Sequence, residues 1–182
     1  FLLEAHRAIG ITLFGLAELT RAREHLNRGI ALFDPQKHKS HAYLYGQDPG
    51  VAYLSQLACL LWILGYPDQA IDSMQQGLAR ARDLAHPFSL AATLTFAAIV
   101  HQLRREVGAA REQAEAAIAI STSYGFPFIL SWAIIIRGWT LVELGEADEG
   151  VAEIRRGLAD YQATGAEFMR TDYLALLAEA YG

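Results

Sequence analysis

The chain has 182 residues, 53% of them hydrophobic, and a net charge of −5. That balance supports a large buried core and excludes a disordered chain. The 15 Lys and Arg are scattered, which excludes the basic stripe of a nucleic-acid groove. The single cysteine, Cys59, excludes an intramolecular disulfide; beside Leu57, Leu60 and Leu61 it is expected to be a buried, inert thiol, consistent with a reducing, cytoplasmic setting.

Taken in order, the chain reads as helix, short turn, helix, repeatedly. The first pair spans about 2–33, with its turn near Leu16 to Leu19, and Pro35 ends it because proline cannot continue a helix. Residues 36–48 are polar, aromatic and turn-rich and are expected to form an inserted loop, with one helical turn near Ser40 to Tyr45. Helices follow over 49–64 and 67–84, then over about 87–104 and 107–124. Pro49, Pro67, Pro87 and Pro127 stand at helix starts, where a missing N–H costs nothing, and Gly125 marks a helix end. Helices over 127–144 and 147–163 come next, and a last one is expected over 167–181. No alternating apolar–polar run competes as a strand. The most apolar run, 126–136, has 11 residues, whereas a membrane span needs about 20.

Small residues recur at fixed steps. Ala22, Ala70, Ala110 and Gly150 lie 48, 40 and 40 residues apart. Gly10, Ala58, Ala98, Gly138 and Ala178 keep the same steps and add another 40, and Gly29, Gly77, Ala117 and Gly157 form a third ladder. Small side chains let helices approach closely, and a helix pair covers its apolar face only by stacking on the next pair. The expected fold is all-α: a right-handed superhelical solenoid of antiparallel helix pairs, about four and a half repeats of about 40 residues. It forms a single repeat domain over 1–182, with repeats at about 1–35, 49–85, 86–125, 126–165 and an incomplete 166–182. The absence of an initial Met and of a closing helix for the fifth repeat makes the chain an expected piece of a longer multidomain protein, and no signal peptide is expected.

The ladders resemble the tetratricopeptide repeat (TPR), which has small residues at three places and a glycine-centred turn. Ala58, Gly65, Ala70 and Gly77 stand there in the second repeat, and Gly138, Gly145, Gly150 and Gly157 in the fourth. The third keeps Ala98, Ala110 and Ala117 but has Arg105 in place of the turn glycine. Five phrases look like the C-terminal repeat region of bacterial adenylate/guanylate cyclase–AAA ATPase–TPR signalling proteins: YGQDPG at 45–50, LWILGYPDQA at 61–70, HPFSLA at 86–91, RGW at 137–139 and ATGAE at 163–167. That resemblance implies a regulatory or interaction module in the cytoplasm. It puts no cyclase or ATPase chemistry here: no G-x-x-x-x-G-K-[ST] loop is present.

The repeat family also implies a concave groove on the first helices of each pair. Its positions map to Phe14, Trp62, Ile99, Trp132, Ile135 and Trp139, with Arg7, Gln102, Glu143 and Glu179 as polar neighbours. These aromatics either line a groove for an apolar partner segment or pack between helices, and both readings stay open. The inserted loop, with His41, Tyr43, Tyr45 and Asp48, either seals that groove or plugs the irregular spacing. His25, His38 and His41 invite a metal reading, with His38 and His41 the one pair close in sequence. But Lys37 and Lys39 flank that pair and disfavour a cation, and no Cys or carboxylate is near enough in sequence to complete a tetrahedral set. His101 and Glu106 have no nucleophile, and Ser121 to Ser123 lack a G-x-S-x-G elbow, so no catalytic residue, metal or cofactor is expected. The expected function is non-catalytic protein–protein interaction or regulation within a bacterial signalling protein, with a protein or peptide partner or other domains of the same parent chain, and homodimerisation open. The alternative is a small-molecule sensor that regulates an attached cyclase or ATPase domain.

Overall fold

The computed structural model describes residues 1–182 and is all-helical, a succession of helix–turn–helix pairs. The helices are α1 (Leu2–Gly15), α2 (Leu19–Leu32), the one-turn α3 (His41–Leu44), α4 (Pro49–Ile63), α5 (Pro67–Asp83), α6 (Pro87–Leu103), α7 (Val107–Tyr124), α8 (Pro127–Glu143), α9 (Ala147–Ala163) and α10 (Arg170–Tyr181). No helix is long and apolar enough to cross a membrane. The chain divides into two compact units, Phe1–Phe96 and Ala97–Gly182.

One turn chemistry recurs at the hinge of four helix pairs. The N–H of Ala17, Gly65, Arg105 and Gly145 donates to the carbonyl three residues back (Phe14, Trp62, Gln102, Val142), and the next N–H reaches five back (Leu13, Leu61, His101, Leu141). This double bond pattern consumes carbonyls that a helix end would otherwise leave unpaired. It requires a left-handed residue, and all four comply, with φ of 59°, 84°, 59° and 89°. Glycine takes that conformation without a Cβ clash; Ala17 and Arg105 take it at a cost of about 1 kcal/mol.

In the first unit α4 is buried along most of its length, because its sequence is apolar on every face. Leu3, Leu13, Leu26, Tyr53, Leu57, Leu60 and Leu61 form one cluster there. Gly29 exists for Tyr53: a Cβ on it would meet the phenol ring at 2.0 Å. The Tyr53 hydroxyl donates to the Leu3 carbonyl, so α4 is tied to α1 by a buried polar bond.

In the second unit α8 holds the same central place. A Cβ on Gly138 would lie 2.8 Å from the Gly150 carbonyl, and one on Gly150 would lie 2.6 Å from the Gly138 carbonyl, so α8 and α9 cross backbone to backbone. Tyr161 on α9 and Tyr173 on α10 pack edge to face, and Tyr161 stacks on Trp132. The last helix begins three residues later than the sequence reading has it. The Tyr161 hydroxyl donates to the Phe168 carbonyl and Met169 takes φ 59°, which turns the chain before α10 starts.

Candidate functional site

The inserted loop returns to the helices through Asp48. Its carboxylate caps α4 by accepting from the Val51 N–H at 3.0 Å, and its own N–H donates to Ser89 Oγ at 3.0 Å. Arg80 on α5 donates to both carboxylate oxygens, at 2.9 and 3.2 Å, and its guanidinium lies 4.5 Å over the Phe33 ring. Asp48 is buried. Further along the loop His41 Nδ1 lies 2.9 Å from Glu4 Oε1 on α1, and His41 meets the rings of His38 and Tyr45 edge-on. Tyr43 packs edge-on against His86 yet stays largely exposed. These contacts strap the loop along α1, α4 and the start of α6.

The residues mapped to the concave groove separate into two groups. Ile99, Trp132, Ile135 and Trp139 are 3%, 4%, 0% and 1% exposed, so in the folded chain they pack helix against helix and offer no surface to a partner. The reason is physical: α8 is apolar on every side and its neighbours close over it. Phe14 and Trp62 are half-buried against the first unit's core and keep part of their rings exposed. Among the polar neighbours Gln102 is buried, while Arg7 pairs with Glu4 at 3.0 Å. Arg105 joins Glu143 on α8 and Glu179 on α10 and sits 5.8 Å over the Trp139 ring.

Each unit carries a surface concavity. In the first, Leu54, Leu57 and Leu61 of α4 and Ile30 of α2 floor an open trough of about 330 Å³. Its rim is Asn27 on one wall and Gln69, Asp72, Ser73 and Gln76 on the other. Ser73 spends its proton on the Leu54 carbonyl at 2.9 Å, and Gln69 accepts from Arg23 at 3.2 Å. Asp72 is the sole charged side chain lining it. In the second unit a recess of about 490 Å³ is lined by Pro127, Leu130, Ser131, Asp160, Ala163 and Thr164. Sequence periodicity missed the trough. Of its rim residues Asn27, Gln69, Asp72 and Gln76 are exposed, and polar side chains at such positions read as ordinary solvated surface.

The Cys59 thiol is buried and burial pushes its pKa up to about 12, so it is not a nucleophile near neutral pH. No group of three or more His, Cys, Asp or Glu side chains is placed to hold a metal ion. Hydrogen bonds from His101 and Arg104 hold the Glu106 carboxyl below its usual value, and burial together with His6 lowers the His25 imidazole.

No family model matches the chain, and no curated protein matches it. Solved structures do. A Rap protein complexed with competence and sporulation factor superposes with a TM-score of 0.71 at 14% identity, covering 98% of this chain and 52% of that one. A protein from Podospora anserina described as a kinesin light chain with nearly identical TPR-like repeats superposes with a TM-score of 0.65 at 18% identity, covering 98% and 85%. The fold is therefore that of TPR-like repeats. The chain spans about half the length of the Rap protein it resembles.

Proposed function

We infer that this chain is a non-catalytic protein-interaction module that holds an extended partner segment in the trough of the first unit. The observation that carries this reading is the pairing of a leucine floor with amide side chains on both walls. Each amide of Asn27, Gln69 and Gln76 offers both a donor and an acceptor, which suits the alternating N–H and C=O of an extended backbone. The apolar floor takes the side chains that such a segment points inward. Asp72 favours a neutral or basic segment over an acidic one. The Rap protein, with the same fold, was solved with a bound factor, which supports a binding role for the fold as a whole.

The phrases that resemble bacterial cyclase–ATPase–TPR proteins support a regulatory place for this module inside a cytoplasmic signalling protein. The sensor reading rests on the recess of the second unit, whose volume of about 490 Å³ falls in the range of small-ligand sites. The trough is the better supported of the two: amides face each other across it, whereas in the recess the Ser131 and Thr164 hydroxyls donate to the nearby Phe128 and Tyr161 carbonyls.

A random peptide library displayed on phage and selected against the chain tests the proposal. Selected peptides should carry apolar residues and few acidic ones. Their affinity should fall about tenfold or more in Gln76→Arg and Asn27→Ala, the loss of one or two hydrogen bonds in a partly desolvated trough, with helicity unchanged. Peptides that bind both variants as tightly as the parent chain place the binding surface elsewhere.

A further inference from the structure

The first helix pair carries a feature separate from the trough. His6 on α1 and His25 on α2 face each other with their Nδ1 atoms 3.1 Å apart and ring centroids 5.1 Å apart. Both are half-buried, so one side of the pair is open to water. We propose that these two imidazoles form a bidentate site for a borderline divalent cation of the Zn2+, Ni2+ and Cu2+ class.

The spacing is the argument. Two neighbouring donors bound to one ion at about 2.0–2.1 Å stand about 2.9 Å apart at a right angle and about 3.3 Å apart at the tetrahedral angle. The observed separation lies between these limits. Imidazole nitrogen is the ligand this class of cation prefers over hard oxygen donors. The two nitrogens come from helices in close contact, since a Cβ on Gly10 would lie 2.8 Å from the Leu26 side chain. The fold, and not a mobile loop, therefore sets their distance. Nearby positive charge is offset: Arg21 pairs with Glu18, and Arg28 lies 3.8 Å from Glu24. Water completes the coordination sphere, so this is an exchangeable site and not a structural cage. The same separation suits an N–H···N hydrogen bond between neutral rings. A cation takes both Nδ1 lone pairs with the ring proton shifted to Nε2, so binding competes with protonation of the imidazoles and fails in mild acid.

Thermal unfolding of the whole chain decides the matter. Adding about 100 μM ZnCl2 or NiCl2 near pH 7.5 should raise Tm by a few degrees over the EDTA-treated chain, by preferential binding to the folded state. The increment should vanish in His6→Gln and in His25→Gln, persist in His38→Gln, and disappear near pH 5.5. Isothermal titration with Ni2+ should show one equivalent bound, again only with both histidines present. Because each variant is compared with and without metal, a lowered starting Tm does not obscure the result. No metal-dependent shift in the parent chain, or an equal shift in His25→Gln, overturns the proposal.

Discussion

Arg80 closes on Asp48 with two hydrogen bonds, at 2.9 and 3.2 Å, and thereby neutralises the buried carboxylate that starts α4. The pair joins the end of the inserted loop to the second repeat. Its geometry is guarded by Gly50, where a Cβ would meet Arg80 Nε and the Phe33 ring at 2.7 Å.

Removing Arg80 leaves that carboxylate buried with its single N-cap bond from the Val51 N–H. Arg80→Ala should cost about 2–3 kcal/mol in urea unfolding, because an uncompensated buried charge costs more than the lost bonds themselves. Adding Asp48→Asn to it should recover part of the loss. Equal destabilisation in the single and double variants would show that Arg80 acts by packing on Phe33 instead.

The hinge positions are not equivalent in sequence although they are in conformation. Ala17 sits at φ 59° without a glycine's freedom. Ala17→Gly should raise stability by about 0.5–1 kcal/mol, about 2–3 °C in Tm. Gly65→Ala should lower it by a similar amount, since its φ is 84°. Calorimetry of both variants reads the sign directly.

The small-residue ladders divide by how close the helices come. A Cβ on Gly150 would meet backbone at 2.6 Å, whereas one on Gly77 would meet the nearest atom at an ordinary 3.4 Å. Gly150→Ala should therefore cost about 1–3 kcal/mol through overpacking. Gly77→Ala should be neutral or stabilising by up to about 1 kcal/mol through helix propensity. A matched loss at both sites would contradict this assignment.

Glu106 links acid stability to the hinge of the third repeat. Its folded pKa lies below the ordinary 4.5, chiefly through the hydrogen bond with His101 at 2.6 Å. A depressed carboxyl contributes stability above its unfolded pKa and loses it as pH falls through the folded value. The Tm gap between the parent chain and Glu106→Gln should thus be largest near pH 6 and shrink toward pH 3. A gap independent of pH would leave the carboxylate without a role in acid unfolding.

How much was readable beforehand follows from the kind of signal each element carries. Helix bounds from α4 to α9 were legible because proline and glycine punctuate them and the small ladders keep register. Arg105 was legible only as a departure from the glycine pattern. That it adopts the same left-handed turn depends on the chain around it. The tryptophans illustrate the converse: Trp132 and Trp139 stand seven residues apart on one helix, but spacing cannot tell a groove wall from a core.

The sequence by itself determined the repeat, since hydrophobic period, turn residues and small positions are local properties that recur at a fixed step. Only the tertiary structure decided what is inside. Burial of Ile99, Trp132, Ile135 and Trp139, the Asp48–Arg80 bond, the amide-rimmed trough and the approach of His6 to His25 each depend on residues distant in sequence, brought together by how helices stack. Helical periodicity tells which residues share a face; it does not tell which faces find a neighbour.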